Sequence, residues 1–251
     1  MANFFKRLVG QKDKVSRSES IFYDKGYSNV KEAIDRLKDN ILYYAIDGEK
    51  KVIQIESSIS GEAKTTTNVN LAVALGESGK KVVVIDLDFR KPRVHRAFRM
   101  DNENGIADYL IDKIDFNTLI KKTDYNNVDL ITRGSEVQNP TAILTSEKMQ
   151  TLINDLKEKY DFILLDCPPV LMISDYIHIA RLSDGVIFNV AYGKTKKSQV
   201  REAISLLKKN NIPVIGSVFT FYDPKRANSY GDYQYYNYYY SYGDHKASNK
   251  K

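Results

Sequence analysis

A single cysteine, Cys167, occurs in 251 residues. It excludes an internal disulfide and suits a reducing compartment. No apolar run reaches the ~18–20 residues needed to cross a bilayer, and the sequence does not open with a signal-peptide pattern, so a cytoplasmic chain is expected. No large excess of one charge is present either. The formal net charge is +6, with Lys and Arg scattered, which reads as a solvated surface and gives no reason to expect a nucleic-acid partner. Aliphatic side chains are missing from one tract altogether. Between positions 230 and 242 the residues are Tyr, Ser, Gly, Asp, Asn and Gln, and eight of the chain's 18 tyrosines fall there: Tyr230, Tyr233, Tyr235, Tyr236, Tyr238, Tyr239, Tyr240 and Tyr242. Such a tract has little with which to build a core, so residues 223–251 are expected to be a flexible tail. Repeated phenols on an exposed segment are also hydroxyl nucleophiles within reach of an active site. Alone, the tract reads rather as an aromatic low-complexity tail used for adhesion, or as a disordered one.

What is present is ordinary for a globular domain, at 42% hydrophobic and 28% charged residues, with enough chain to bury a sizeable core. Residues 1–28 mix charge with a few aromatics without a period and read as a flexible arm. Ala33, Ile34, Leu37, Ile41 and Leu42 recur at three- and four-residue spacing, which predicts an amphipathic helix over about 29–45. Thereafter apolar runs alternate with helical patterns. Strands are expected at 51–56, 81–86, 128–132, 162–166, 186–190 and 214–219, and helices at 65–77, 147–159, 175–182 and 198–209. This alternation predicts an α/β three-layer sandwich of the P-loop NTPase type, with a mostly parallel central sheet and helices on both faces. The domain spans 29–222. In such sheets ligands bind beyond the carboxyl ends of the strands, and three candidate motifs lie there.

The first is the loop Ser58-Ile59-Ser60-Gly61-Glu62-Ala63-Lys64-Thr65-Thr66, between a strand and a helix. Backbone N–H groups at a helix N-terminus favour phosphates; Lys64 would reach the terminal phosphates and the Thr65 hydroxyl would bind Mg²⁺. Ser58 and Ala63 stand where the consensus loop has glycines. A positive φ at Ala63 would cost roughly 1–3 kcal/mol. The second motif ends a buried strand with Asp86 and Asp88, and the third delivers Asp166 before Cys167-Pro168-Pro169. Phosphoryl transfer needs a metal on the phosphates, positive charge on the transferring group and an orienter for the attacking hydroxyl. Lys64, Thr65, Asp86, Asp88 and Asp166 fill these roles. Each Asp singly also reads as a strand-end residue capping the next turn; three beside a phosphate loop favour a site.

These motifs resemble those of the bacterial tyrosine kinases of capsule and exopolysaccharide synthesis. GEAKTT stands where that family has GEGKST or GEGKTT; VVVIDLDFR, FILLDCPPV and the tyrosine-rich tail complete the set, with RKPRVHRAF and NPTAIL as lesser matches. The resemblance implies ATP and Mg²⁺ as cofactors, with residues 58–66 binding nucleotide. It implies Thr65, Asp88 and Asp166 at the metal, directly or through water, and Lys64, Asp86 and Asp88 as catalytic residues, with Asp86 the base for the incoming tyrosine hydroxyl. It implies autophosphorylation of the eight clustered tyrosines in trans within a homo-oligomeric ring assembled through the 29–45 helix. There Asp35 and Lys38 replace family arginines, and Thr220 replaces a strand-end Asn. A membrane-anchored activator of the polysaccharide co-polymerase type and a cognate tyrosine phosphatase are the implied partners, and the inner face of the membrane the implied place. Two rival readings remain. One is a partition- or division-type P-loop ATPase, which would carry a second lysine where this chain has Ile59. The other is a catalytically weakened scaffold, blunted by Ala63.

Overall fold

The structure is a computed structural model that describes Ile21, Tyr23 and residues 28–222. The tyrosine cluster therefore lies outside the described residues, as does most of the expected arm.

Seven strands form one sheet: β1 (Val52–Ser57), β2 (Val82–Asp86), β3 (Lys121–Lys122), β4 (Val128–Ile131), β5 (Phe162–Asp166), β6 (Gly185–Ala191) and β7 (Val214–Thr220). Their order is β3-β4-β2-β5-β1-β6-β7, parallel throughout except for the antiparallel edge pair β3–β4. The helices are α1 (Ser28–Tyr44), α2 (Lys64–Glu77), α3 (Val94–Ala97), α4 (Ile106–Leu110), α5 (Phe116–Leu119), α6 (Pro140–Leu144), α7 (Glu147–Lys159), α8 (Asp175–Ala180) and α9 (Lys197–Lys209).

Alternation along the strands builds two cores. On β2, Val82 and Val84 face the layer of α1, α2 and α3, whereas Val83 and Ile85 face α4, α5 and α7. Every residue of β1, β2, β4 and β5 is buried, as expected for strands covered on both faces. A third cluster packs Val186 and Phe188 of β6 against Ala203 and Leu207 of α9. The edge strand β7 has no fully buried residue.

Local chemistry sets the element ends. Ser146 caps α7 by accepting a hydrogen bond from the Met149 N–H, with Lys157 and Lys159 in its last turn, where the dipole favours cations. Gly79, at φ 85°, ends α2 in the left-handed conformation glycine tolerates.

The expected free arm is corrected at two positions. Ile21 and Tyr23 are 3% and 4% exposed and pack into the core beside α1 and α2. The Tyr23 N–H donates to Asn70 Oδ1 at 2.9 Å, its hydroxyl donates to Asp35 Oδ1 at 2.6 Å, and Lys31 Nζ stands 3.9 Å from its ring centroid. Lys38 Nζ in turn donates to Asp35 at 2.9 Å. The two replacements in α1 thus pair with each other, and Asp35 also with Tyr23.

Candidate active site

The sheet order brings the three motifs together. β5 lies between β1 and β2, and Asp86 and Asp166 are directly opposite in the β2–β5 register. Beyond these strand ends is a cavity of about 280 Å³ lined by Ser60, Gly61, Ala63, Lys64, Thr65, Asp88 and Asp166. Arg90, Lys91 and Arg93 from the loop after β2 complete it on one side, and Met172 and Ile173 on the other.

Thr65 Oγ donates to Asp166 Oδ2 at 2.7 Å, while the other Asp166 oxygen is buried without a hydrogen-bond partner. A hydroxyl and a half-satisfied carboxylate side by side, at the N-terminus of α2, form the donor set a hydrated divalent cation on a polyphosphate takes up. Among the described residues no group of three or more His, Cys, Asp or Glu could hold a metal by itself. Lys64 is only 8% exposed, and its charge acts on both Glu56 and Asp166.

The buried carboxyls are poised high. Burial pushes Asp166 up, against the pull of Lys64 and the Thr65 hydrogen bond. Burial, then the charge of Asp166, raises Asp86 well above the ordinary range. Burial pushes Glu56 up to about 8 despite Lys64 and a hydrogen bond from Gln54.

The predicted site residues do not all reach the cavity. Asp86 is fully buried and absent from its lining. Its Oδ2 accepts the N–H groups of Arg93 at 2.9 Å and Val94 at 3.0 Å, and its Oδ1 that of Asp88 at 3.2 Å. In this conformation backbone amides thus reach both oxygens of Asp86, the residue expected to take the proton of an incoming hydroxyl. Asp88 does face the cavity, and its Oδ1 accepts the N–H groups of Arg90 and Lys91. Ser58, Ile59, Glu62 and Thr66 are likewise outside the lining. The Ser58 and Thr66 hydroxyls are buried without hydrogen-bond partners. Ile59 N–H donates to the Glu62 carboxylate at 2.8 Å, so Glu62 turns into the protein.

Ala63 takes φ 61° and ψ 29°, the left-handed region, as N-cap of α2. The glycine that the consensus places there is thus missing where its freedom is used.

A family model described as an AAA domain matches residues 50–215. The tyrosine-protein kinase YwqD of Bacillus subtilis is 32% identical over 200 residues, covering 80% of this chain and 83% of YwqD. CapB of Staphylococcus aureus is 32% identical over 225 residues, covering 90% of this chain and 98% of CapB. The chain belongs to the bacterial tyrosine kinases. Solved structures agree. The chimerical protein CapA2B2 superposes with a TM-score of 0.76 at 27% identity over 81% of this chain and 90% of that one. The kinase domain of the Escherichia coli tyrosine kinase ETK gives 0.77 at 25% identity over 84% of each. The septum site-determining protein MinD of Pyrococcus horikoshii, solved with Mg-ADP, gives 0.57 at 27% identity over 67% of this chain and 69% of that one. This tyrosine kinase is thus built on a nucleotide-binding P-loop domain. Among its described residues no helix is long and apolar enough to cross a membrane.

Sequence reasoning singled out Thr220 but missed the groups that arrive from β6 and the turn after it. Asn189 Nδ2 donates to the Glu62 carbonyl at 3.2 Å, as does Thr220 Oγ at 3.2 Å. Lys194 Nζ donates to the Gly61 carbonyl at 2.7 Å, and Thr195 Oγ donates to the Glu62 carboxylate. These residues lie over 120 positions from the loop they hold, so no local spacing signals them.

Proposed function

We propose that this chain is an ATP- and Mg²⁺-dependent protein-tyrosine autokinase. Its acceptors are the tyrosines between Tyr230 and Tyr242 of a neighbouring copy, and it acts in the control of capsular or exopolysaccharide synthesis. The observation that carries the reading is the pairing of Thr65 with a half-satisfied Asp166, facing Asp88 across a cavity that also holds Lys64.

Mg·ATP, when bound, supplies the phosphoryl group and part of the charge that stabilises its transfer. Lys64 and the N-terminus of α2 bind the phosphates. Thr65 and Asp166 hold the metal, directly or through water. Asp88 is the carboxylate placed to orient the acceptor phenol and take its proton, and Asp86 shapes the loop that presents Asp88. The tail after Phe221, some 20 residues to its last clustered tyrosine, spans up to ~65 Å when extended, which suits delivery between copies. Each phosphotyrosine adds about −1.5 to −2 charges. Eight would reverse the chain's net charge and drive packed copies apart. A ring assembled through α1, a membrane-anchored activator that brings the kinase to the inner face of the membrane, and a tyrosine phosphatase that resets the tail complete the proposal.

Mixing two proteins tests it. One carries Lys64→Met with its tail intact; the other is active but truncated after residue 222. Incubation with Mg·ATP and peptide mass mapping should find phosphotyrosine on the tail of the Lys64→Met copy. Absence of phosphotyrosine from the wild-type protein with its activator would reject the kinase reading; labelling confined to tails on active copies would reject transfer in trans.

A second reading is favoured by one observation, the left-handed Ala63: a scaffold with weakened nucleotide binding. A dissociation constant for Mg·ADP above the millimolar range would select it.

A further inference from the structure

The phosphate loop holds its shape although a residue with a β-carbon occupies its left-handed position. Ala63 has φ 61°, a conformation that persists only where the surroundings over-determine it. The neighbouring residue shows what does so. Glu62 is fully buried, and its side chain ties the loop both to itself and to another part of the fold. One carboxylate oxygen accepts Ile59 N–H at 2.8 Å, closing the loop on itself. The other accepts Ala191 N–H at 3.3 Å and the Thr195 hydroxyl, both from the end of β6 and the turn that follows. Its carbonyl is held by Asn189 and Thr220. One residue earlier, Gly61 has φ 78° and its carbonyl accepts from Lys194. A β-carbon on Gly61 would stand 2.6 Å from the Lys194 ammonium, so this glycine leaves the space that lysine fills. The turn of residues 191–195 therefore holds both the Gly61 carbonyl and the Glu62 carboxylate, yet it contributes nothing to the cavity lining.

We infer that Glu62, Thr195 and Lys194 are positioning residues for nucleotide binding, forming a latch that keeps Ala63 in its left-handed conformation and so maintains the phosphate-binding shape of the loop. The inference rests on the nucleotide-binding reading of that loop. Its physical content is a coupling. With the latch closed, the strain at Ala63 is met on folding, and the empty protein already has the bound shape. With the latch open, Ala63 relaxes toward the conformations alanine prefers, and binding must restore it. A glycine at 63 carries little penalty in the left-handed region, so its loop should depend less on the latch.

Isothermal calorimetry with Mg·ADP on the full chain tests this in two backgrounds, wild type and Ala63→Gly. Thr195→Val keeps the shape of the side chain and removes the donated hydrogen bond. In the wild-type background it should weaken Mg·ADP on the order of tenfold, the effect of one hydrogen bond to a charged group. In the Ala63→Gly background the same change should cost only about twofold to threefold, a coupling typical of neighbours sharing one structural strain. Ala63→Gly with the latch intact should leave affinity within about twofold of wild type. Lys194→Met should weaken binding about threefold and Lys194→Arg should restore most of it. Thermal melts of the nucleotide-free variants accompany each titration, and Thr195→Val should melt within a few degrees of its parent. An equal loss in both backgrounds would mean that Thr195 is merely structural and would overturn the latch, as would unchanged affinity in Thr195→Val. A wild-type protein that binds no Mg·ADP would remove the nucleotide reading itself and the latch with it.

Discussion

Two loops meet across the cavity, and they are held in opposite ways. The loop after β2, residues 87–93, is shaped mainly by its own aspartates. Asp86 and Asp88 accept five backbone N–H groups from residues two to eight positions downstream. The phosphate loop, besides the local bond between Ile59 and Glu62, is tied to groups more than 120 residues away, on β6, β7 and the turn between β6 and α9. Locally capped loops keep their form when distant parts of a protein shift; a loop tied to remote strands registers every change in the sheet. The cavity therefore pairs a mainly locally capped wall, carrying Asp88 and three cationic side chains, with a floor tied mainly to distant strands.

The largest effect should come from the floor. Lys64→Met should reduce autophosphorylation on the order of 10²–10³-fold, the scale of removing one preorganised charge from a transferring group, with little change in melting temperature. Quantitative phosphotyrosine detection and a thermal scan on one preparation check both halves. On the opposite wall the two aspartates should separate cleanly. Asp88→Asn should lower labelling about 10²-fold while leaving the melt near wild type. Asp86→Asn sets an amide against backbone donors and should cost about 1–3 kcal/mol of stability. A stable Asp86→Asn protein devoid of activity would restore Asp86 as the proton acceptor and undo the contrast between the walls.

A pH series sharpens the comparison. Glu56 is buried beneath the phosphate loop and its carboxyl is raised from 4.5 to about 8. A raised carboxyl favours the folded state most below its unfolded value, and that contribution is lost as pH climbs toward the folded value. The nucleotide-free protein should therefore lose stability between about pH 4.5 and 8, and Glu56→Gln should flatten that slope. A gain of roughly 2–4 °C in melting temperature at pH 8, with less at pH 5, is expected; the same gain at both values would rule out titration as the cause. The smallest effect lies far from either loop. Tyr23→Phe removes the hydroxyl from Asp35 and should cost about 0.5–1.5 kcal/mol, measured by denaturant unfolding. Activity per folded molecule should be unchanged.

Much of this was legible in the sequence, for identifiable reasons. Strands buried on both faces are continuous apolar runs, so Val82–Asp86 and Phe162–Asp166 fell within a residue of expectation, and Glu147–Lys159 announced itself through its 3.6-residue period. The helices Val94–Ala97, Ile106–Leu110 and Phe116–Leu119 are too short to show a period, and the edge strand Lys121–Lys122 is two exposed or half-exposed lysines without an apolar signal. At the site, strand-end position found Asp86, Asp88 and Asp166 but could not say which would face the cavity. The bland reading of a strand-end aspartate, a cap for the next turn, describes Asp86 fully and Asp88 in part. Lys194 and Thr195 could not be found at all, because only the placement of β6 beside β1 brings them to Gly61 and Glu62.

That β5 separates β1 from β2 bears on how the molecule comes into being. The strands that carry the first two motifs are consecutive in the chain, yet they share no hydrogen bonds and meet only through Phe162–Asp166. Although β2 can pair with β4 earlier, neither strand can meet the other until residues 162–166 have been made. Translation thus completes this pocket late, after an interval in which two strands destined for burial on both faces wait for the one that joins them.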